Sequence, residues 1–155
     1  MTAARRPAVD FVPHRPPMLC LDEVGEDTAT SVVCHVTIRP DFIFVEGDSV
    51  RPVAMIELVA QACAVYLGLQ ARCAGRSPRV GMVVGCREAE FLVERLAVGD
   101  ELTVTVHRVF EELPVAAFTG EVARGGAVVG RVSLSVVDGD LAPAATAPAA
   151  GEPGP

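Results

Sequence analysis

Glu57 is the one acid in a stretch that is otherwise almost wholly apolar, Pro52–Cys73, PVAMIELVAQACAVYLGLQARC. At helical spacing Val53, Ile56, Ala60, Ala64 and Leu67 fall near one stripe, while Met55, Leu58, Val59, Ala62 and Val65 cover the rest. A helix apolar all round is a buried one. A carboxylate inside it is costly unless it is paired or used. Gln61 follows one turn later on the same face. Burial raises a carboxyl pKa towards the range where it can give and take protons. The competing reading is a buried Glu paired with an Arg or with a backbone N–H. The other groups able to do chemistry are His14 in the run PHRPP, His35 and His107 within alternating strand patterns, and Glu46 and Asp48 on either side of Gly47.

These groups need elements to position them. Between Pro52 and Gly68 nothing breaks the apolar stretch, so it reads as one long helix with Pro52 at a first helical position and Gly75 as C-cap. Ahead of it, Met18–Val24 reads as a strand, Gly25-Glu26-Asp27 as a turn and Thr28–Ile38 as a second strand. In that second strand Thr30, Val32, Cys34, Val36 and Ile38 alternate with Ser31, Val33, His35 and Thr37. Arg39–Arg51 reads as irregular. Four strands are expected after the helix: Arg79–Phe91, with Gly81 and Gly85 as bulge or close-approach points, then Glu101–Phe110, Pro114–Arg124 and Ala127–Val137. This order predicts an α+β domain, an antiparallel sheet of about six strands with a single helix on its concave side. One helix cannot cover both faces of such a sheet, so the remaining apolar surface implies a partner, most simply in a dimer. Residues 1–10 read as a flexible N-terminus, 11–137 as the domain and 138–155 as a disordered Pro/Ala/Gly-rich tail.

The bulk composition narrows the class. A chain of 155 residues that is 50% hydrophobic suggests one domain with a sizeable core. A formal net charge of −7 argues against nucleic acid as partner, because phosphate binding wants a basic patch. Cys20, Cys34, Cys63, Cys73 and Cys86 show no C-x-x-C spacing and read as small reduced core residues rather than disulfides or metal ligands. No metal-ligand cluster stands out. MTAARRPAVDF lacks the apolar segment of a secretory signal. Glu57, Gln61 and Gln70 interrupt the longest apolar run, so no membrane association and a cytoplasmic location are expected.

Three motifs carry a resemblance. Val12–Val24, VPHRPPMLCLDEV, resembles the L-P-H-R-x-P-x-L-L-x-D-x-V opening of the 3-hydroxyacyl-acyl-carrier-protein dehydratases. Ala54–Ala62, AMIELVAQA, is similar to their central-helix motif, in which a Glu is followed by two residues and A-Q-A. Val98–Val104, VGDELTV, is similar to their G-D-x-L-x-V turn and strand. The order is the family's and the span is roughly Phe11 to Val137. The PHRPPML and GLQAR runs look closest to the divergent dehydratase-like proteins of aryl-polyene and polyketide pathways. The resemblance implies the hot-dog fold, a curled sheet wrapped round one long helix. It also implies a site at a dimer interface, where a helix carboxylate of one subunit and a loop His of the other dehydrate a 3-hydroxyacyl thioester. The substrate arrives on the phosphopantetheine of an acyl carrier protein, and no cofactor is expected. A backbone N–H at the helix start polarises the thioester carbonyl.

Glu57 matches the helix carboxylate, and Gln61, Pro52, Val53 and Gly81 are expected along the substrate path. Two elements depart from the pattern. Phe44–Val53, FVEGDSVRPV, is shorter than the family's loop and holds no His, and Pro52 replaces the Gly before the helix Val, so the usual carbonyl donor has no N–H. Glu46, Asp48 and His14 are the candidate substitutes for the missing base, each against a structural reading as a solvated acidic loop or a packed His. Arg15 and Arg51 are candidates for touching carrier phosphate. One reading is an active dehydratase with altered catalytic residues, acting in fatty-acid-like or polyketide and aryl-polyene biosynthesis. An alternative is a catalytically impaired subunit that holds acyl chains and pairs, as homo- or heterodimer, with an active hot-dog dehydratase. A hot-dog thioesterase, in which the helix carboxylate activates water, is the third.

Overall fold

The computed structural model describes residues 3–77, 80–112 and 114–139. In chain order they form β1 (Arg6–Pro7), a 3-10 turn (Ala8–Asp10), β2 (Glu23–Asp27), β3 (Ser31–Thr37), β4 (Val45–Glu46), β5 (Ser49–Val50), α1 (Ala54–Cys73), β6 (Gly81–Phe91), β7 (Leu96–Ala97), β8 (Glu101–Glu112), β9 (Val115–Arg124) and β10 (Ala127–Asp138). The main sheet has seven strands in the order β1-β2-β3-β8-β9-β10-β6, every neighbouring pair antiparallel. β4, β5 and β7 make a separate small sheet beside the start of α1.

The alternation legible in the sequence sets which face is inside. Val32, Cys34 and Val36 of β3, Leu102, Val104 and Val106 of β8, and Val132, Leu134 and Val136 of β10 are buried, while the residues between them are not. Met55, Leu58, Val59, Ala62, Cys63, Val65 and Tyr66 of α1 pack into this concave face. By length and composition alone α1 could span a membrane, but 67% of its apolar window is buried inside the domain, which accounts for its character. Its C-terminus closes as a Schellman motif: Gly75 has φ +71, its N–H donates to the Arg72 carbonyl (3.0 Å), and Arg76 N–H donates to the Ala71 carbonyl (2.8 Å).

Several expectations are corrected. The helix begins at Ala54 with Val53 as N-cap, so Pro52 lies in the turn before it. It is not buried all round: Ile56, Glu57, Ala60, Ala64 and Leu67 remain half-buried. The main sheet has seven strands rather than about six, because Arg6–Pro7 pair with β2 ahead of Phe11, with Ala8 fully buried beside them. Met18–Val24 is not the first long strand; β2 starts at Glu23, since Met18 and Cys20 bond to a helix side chain instead of a ladder. Gly25-Glu26 is a bulge within β2, and the turn moves to Thr28–Thr30, where Thr28 Oγ1 accepts the Thr30 N–H (3.2 Å). The bulges of the β6–β10 ladder flank Gly85 rather than Gly81. Cys20, Cys34 and Cys63 are buried, but Cys73 and Cys86 are exposed. The expected tail lies, from residue 140, outside the described residues.

The turn into β8 carries a pH dependence. Asp100 Oδ2 accepts the Ala97 N–H (2.8 Å) and an Arg124 Nη1–H (2.8 Å). Burial would raise this carboxyl, but these bonds outweigh it and hold it below its ordinary value. A carboxyl lowered on folding contributes stability above its unfolded pKa, and that stability is lost as pH falls through the folded value. Asp100→Asn is therefore expected to cost about 1 kcal/mol at neutral pH. The difference from wild type in thermal melts should shrink once pH drops below about 4. A constant difference across that range would mean that the charge is not what matters.

Candidate active site

The exposed stripe of α1 lines a cavity of about 390 Å³. Glu57, Ala60, Gln61, Ala64 and Leu67 form one wall at successive helical turns; Pro13 and His14 contribute from the N-terminal segment, Val80–Val83 from the β6 edge, and Val136 from β10. From Glu57 to Leu67 the wall is about 15 Å long, ten residues at the helical rise. Its polar groups are gathered at the Glu57 end, and Ala60, Ala64 and Leu67 leave the rest apolar.

Gln61 fixes that polar end. Its Oε1 accepts the Cys20 N–H (2.7 Å), and its Nε2 donates to the Met18 carbonyl (2.8 Å) and to Glu57 Oε1 (2.8 Å). Only Oε1 can receive a backbone N–H, so Cys20 dictates which way the amide faces and aims its N–H at Glu57. Gln61 is buried and its two N–H bonds are both used, so it orients the carboxylate. Gln61→Leu would orphan the Cys20 N–H and the Met18 carbonyl, at about 1–3 kcal/mol each. A loss of roughly 2–5 kcal/mol in denaturant unfolding is expected; an unchanged midpoint would show the two backbone groups finding other partners. The Cys20 thiol beside this network is pushed up to about 11, first by burial and then by the Glu57 charge, with the Gln61 hydrogen bond opposing, so it is no ready nucleophile.

The segment bearing His14 is held against α1 by contacts the sequence does not advertise. A Cβ on Gly68 would lie 1.8 Å from the Phe11 carbonyl oxygen, so only glycine lets this segment pass. Arg72 donates to the Asp10 carbonyl (2.9 Å) and stands 4.6 Å over the Phe11 ring. Arg15 donates to the carbonyls of Val12 (2.9 Å) and His14 (2.8 Å), and more distantly of Val9 (3.4 Å). It braces its own loop. His14 is half-buried, and its Nδ1 is buried with no hydrogen-bond partner among the described residues.

The structure thus brings Glu57, Gln61, His14 and Gly81 to one cavity, and Glu46, Asp48, Pro52 and Val53 are not among its lining residues. Glu46 is exposed and ion-paired to Arg51 at 2.6 Å. That hydrogen bond, more than its partly opposing loss of water, holds the Glu46 carboxyl below its ordinary range, the wrong direction for a base. Asp48 is exposed in the turn between β4 and β5. Val53, with Glu46 and Arg51, borders a separate cavity of about 240 Å³ at the start of α1. Pro13, Met82, Val83 and Val136 join the site without a sequence signal; Ala60, Ala64 and Leu67 were legible as one helical stripe. Among the described residues no three His, Cys, Asp or Glu side chains are arranged to hold a metal ion.

Comparison with solved structures places this architecture. The chain is similar to the dehydratase heterocomplex ApeI:P from Xenorhabdus doucetiae, at 25% identity and a TM-score of 0.81, covering 86% of this chain and 91% of that one. A hypothetical thioesterase protein with coenzyme A from Streptococcus pneumoniae TIGR4 shares the fold at 10% identity and a TM-score of 0.59, covering 75% and 84% of the two chains. So does the PaaI protein of the phenylacetic acid degradation operon of E. coli, at 16% identity, a TM-score of 0.58, and coverage of 74% and 80%. No curated protein matches the sequence. The helix in a curled antiparallel sheet is the hot-dog fold. The family model for ApeP dehydratase matches residues 6–147, nearly the whole domain, and the chain belongs to the ApeP-like dehydratase family.

Proposed function

We propose that this chain is a dehydratase subunit acting on 3-hydroxyacyl thioesters carried by acyl carrier protein, in aryl-polyene or related polyketide biosynthesis, and that it works paired with a second hot-dog subunit. The observation that carries this reading is the Glu57 carboxyl, oriented by Gln61 Nε2 at the head of an apolar groove. A thioester α-proton is weakly acidic and hydroxide is a poor leaving group, so the reaction needs a base at one carbon and an acid at the next. The α-proton goes to the base, its electron pair forms the new double bond, the C–O bond breaks, and Glu57 in its acid form delivers the proton that lets water depart. The proton taken by the base returns to Glu57 through solvent after product leaves. The groove holds the acyl chain.

The base is assigned to the partner. Phe44–Val53 has no His, and its carboxylates lie away from Glu57 or are tied to Arg51. A partner also suits the exposed apolar surface: β6 is the sheet's edge strand, with Val80, Met82, Val83 and Val84 all exposed, and the α1 stripe beside it is only half-covered. The X. doucetiae neighbour is itself a heterocomplex.

The reaction type is tested by incubating the chain, with an active hot-dog dehydratase subunit of the same pathway, with a short 3-hydroxyacyl-carrier thioester. Enoyl thioester still attached to carrier, read by mass, is the expected product. Free acid released from carrier would contradict this reading and favour thioester hydrolysis.

A further inference from the structure

We propose that His14 supplies the hydrogen bond that polarises the substrate's thioester carbonyl, acting through a fixed Nε2–H and not as a proton carrier. This deepens the dehydratase reading of the Glu57 cavity and rests on it. Three observations converge. First, His14 lines the same cavity as Glu57 and Gln61. Second, its Nδ1 is buried and has no hydrogen-bond partner among the described residues. That leaves Nε2 as the ring nitrogen able to meet a ligand. An imidazole with one N–H must leave either a proton or a lone pair unsatisfied at Nδ1, and orphaned buried N–H groups are the rarer case in folded proteins. The proton is therefore on Nε2, where a ligand oxygen can accept it.

Third, the start of α1 has no N–H to spare for this task. Pro52 carries none, and the Ala54, Met55 and Ile56 N–H groups donate to the carbonyls of Arg51, Pro52 and Val53 at 3.1, 2.9 and 3.1 Å. Negative charge gathers on the thioester oxygen as the α-proton leaves, and a donor already in place stabilises it without reorganising. His14 meets that demand for rigidity. Arg15 holds its carbonyl, Arg72 holds the Asp10 carbonyl, and Gly68 admits the Phe11 backbone against the helix. The proton stays on Nε2 throughout, so His14 takes no part in the proton balance between Glu57 and the base.

The test uses the complex with its partner subunit and two substitutions. Gln offers a side-chain N–H of similar reach, and Leu offers none. His14→Leu is expected to lower kcat about 10²-fold or more, the cost typical of one lost oxyanion donor. His14→Gln is expected to recover most of that, with the pH profile of kcat unmoved. In parallel, ¹⁵N shifts of the imidazoles, assigned through the loss of one of three histidine signals in His14→Gln, should show the Nε2–H form in the unmutated protein. An Nδ1–H form overturns the proposal even if neither variant folds. If the unmutated complex makes enoyl product, then full activity in His14→Leu, or a His14→Gln as dead as His14→Leu, overturns this inference alone. A complex that makes no enoyl product overturns both this inference and the reading beneath it.

Discussion

Glu57→Gln is expected to lower dehydration by the complex about 10²–10⁴-fold, the usual contribution of one positioned acid or base. The substitution is close to isosteric, and its amide oxygen can still accept from Gln61 Nε2, which now bonds Glu57 Oε1 at 2.8 Å. Glu57 is half-buried and pairs with no cation in a salt bridge among the described residues, so replacing it strands no buried charge. Stability should therefore change by less than about 1 kcal/mol. What disappears is the proton for the departing hydroxyl. Loss of kcat with little change in KM, in single-turnover assays read by mass, would match a group needed only in the transition state. A loss below tenfold would mean that Glu57 holds the loop through Gln61 and does no chemistry.

Gly68→Ala should be the most damaging conservative change near the site. In an ordinary helix interior Ala is better than Gly by about 1 kcal/mol. Here the added Cβ would stand 1.8 Å from the Phe11 oxygen and 2.9 Å from its carbonyl carbon. Both obstacles are backbone, so no rotamer change relieves them. Either the Asp10–His14 segment lifts, exposing the buried Phe11 and breaking the Arg72–Asp10 bond, or the helix shifts in its sheet. A net destabilisation of about 2–4 kcal/mol is expected in denaturant unfolding. Displacing His14 by about 1 Å should cost turnover about 10²-fold in whatever fraction still folds. A stability equal to or above wild type would show that the segment is not packed on α1 as described.

The contrast between these residues shows what local pattern can carry. The helix was legible because its apolar residues run without a breaker, and β3 and β8 because β-branched residues alternate in register with burial. Glu57 stood out as the one acid in an apolar stretch, and its motif matched a family. Met18–Cys20 was misread as strand because its backbone bonds go to Gln61, more than forty residues away in sequence, and no periodicity encodes a bond of that kind. The same holds for Arg15. A surface guanidinium and one folded back onto its own loop carbonyls look alike in a sequence. Glu46 and His14 were equal candidates on paper. They separate only in three dimensions, where Arg51 ties up Glu46 and the Phe11–Gly68 contact carries His14 to the cavity. The half-buried stripe of α1 was visible as a stripe, but its exposure follows from where the sheet ends.

The most direct test of the central claim, that Glu57 serves a site completed by a second subunit, is enoyl-product formation measured three ways from one 3-hydroxyacyl-carrier thioester: by this chain alone, by its hot-dog partner alone, and by the two together. Product only from the combined subunits, lost again when the chain carries Glu57→Gln, is the predicted result. Robust turnover by this chain alone would contradict it, and would place the missing base within the chain itself.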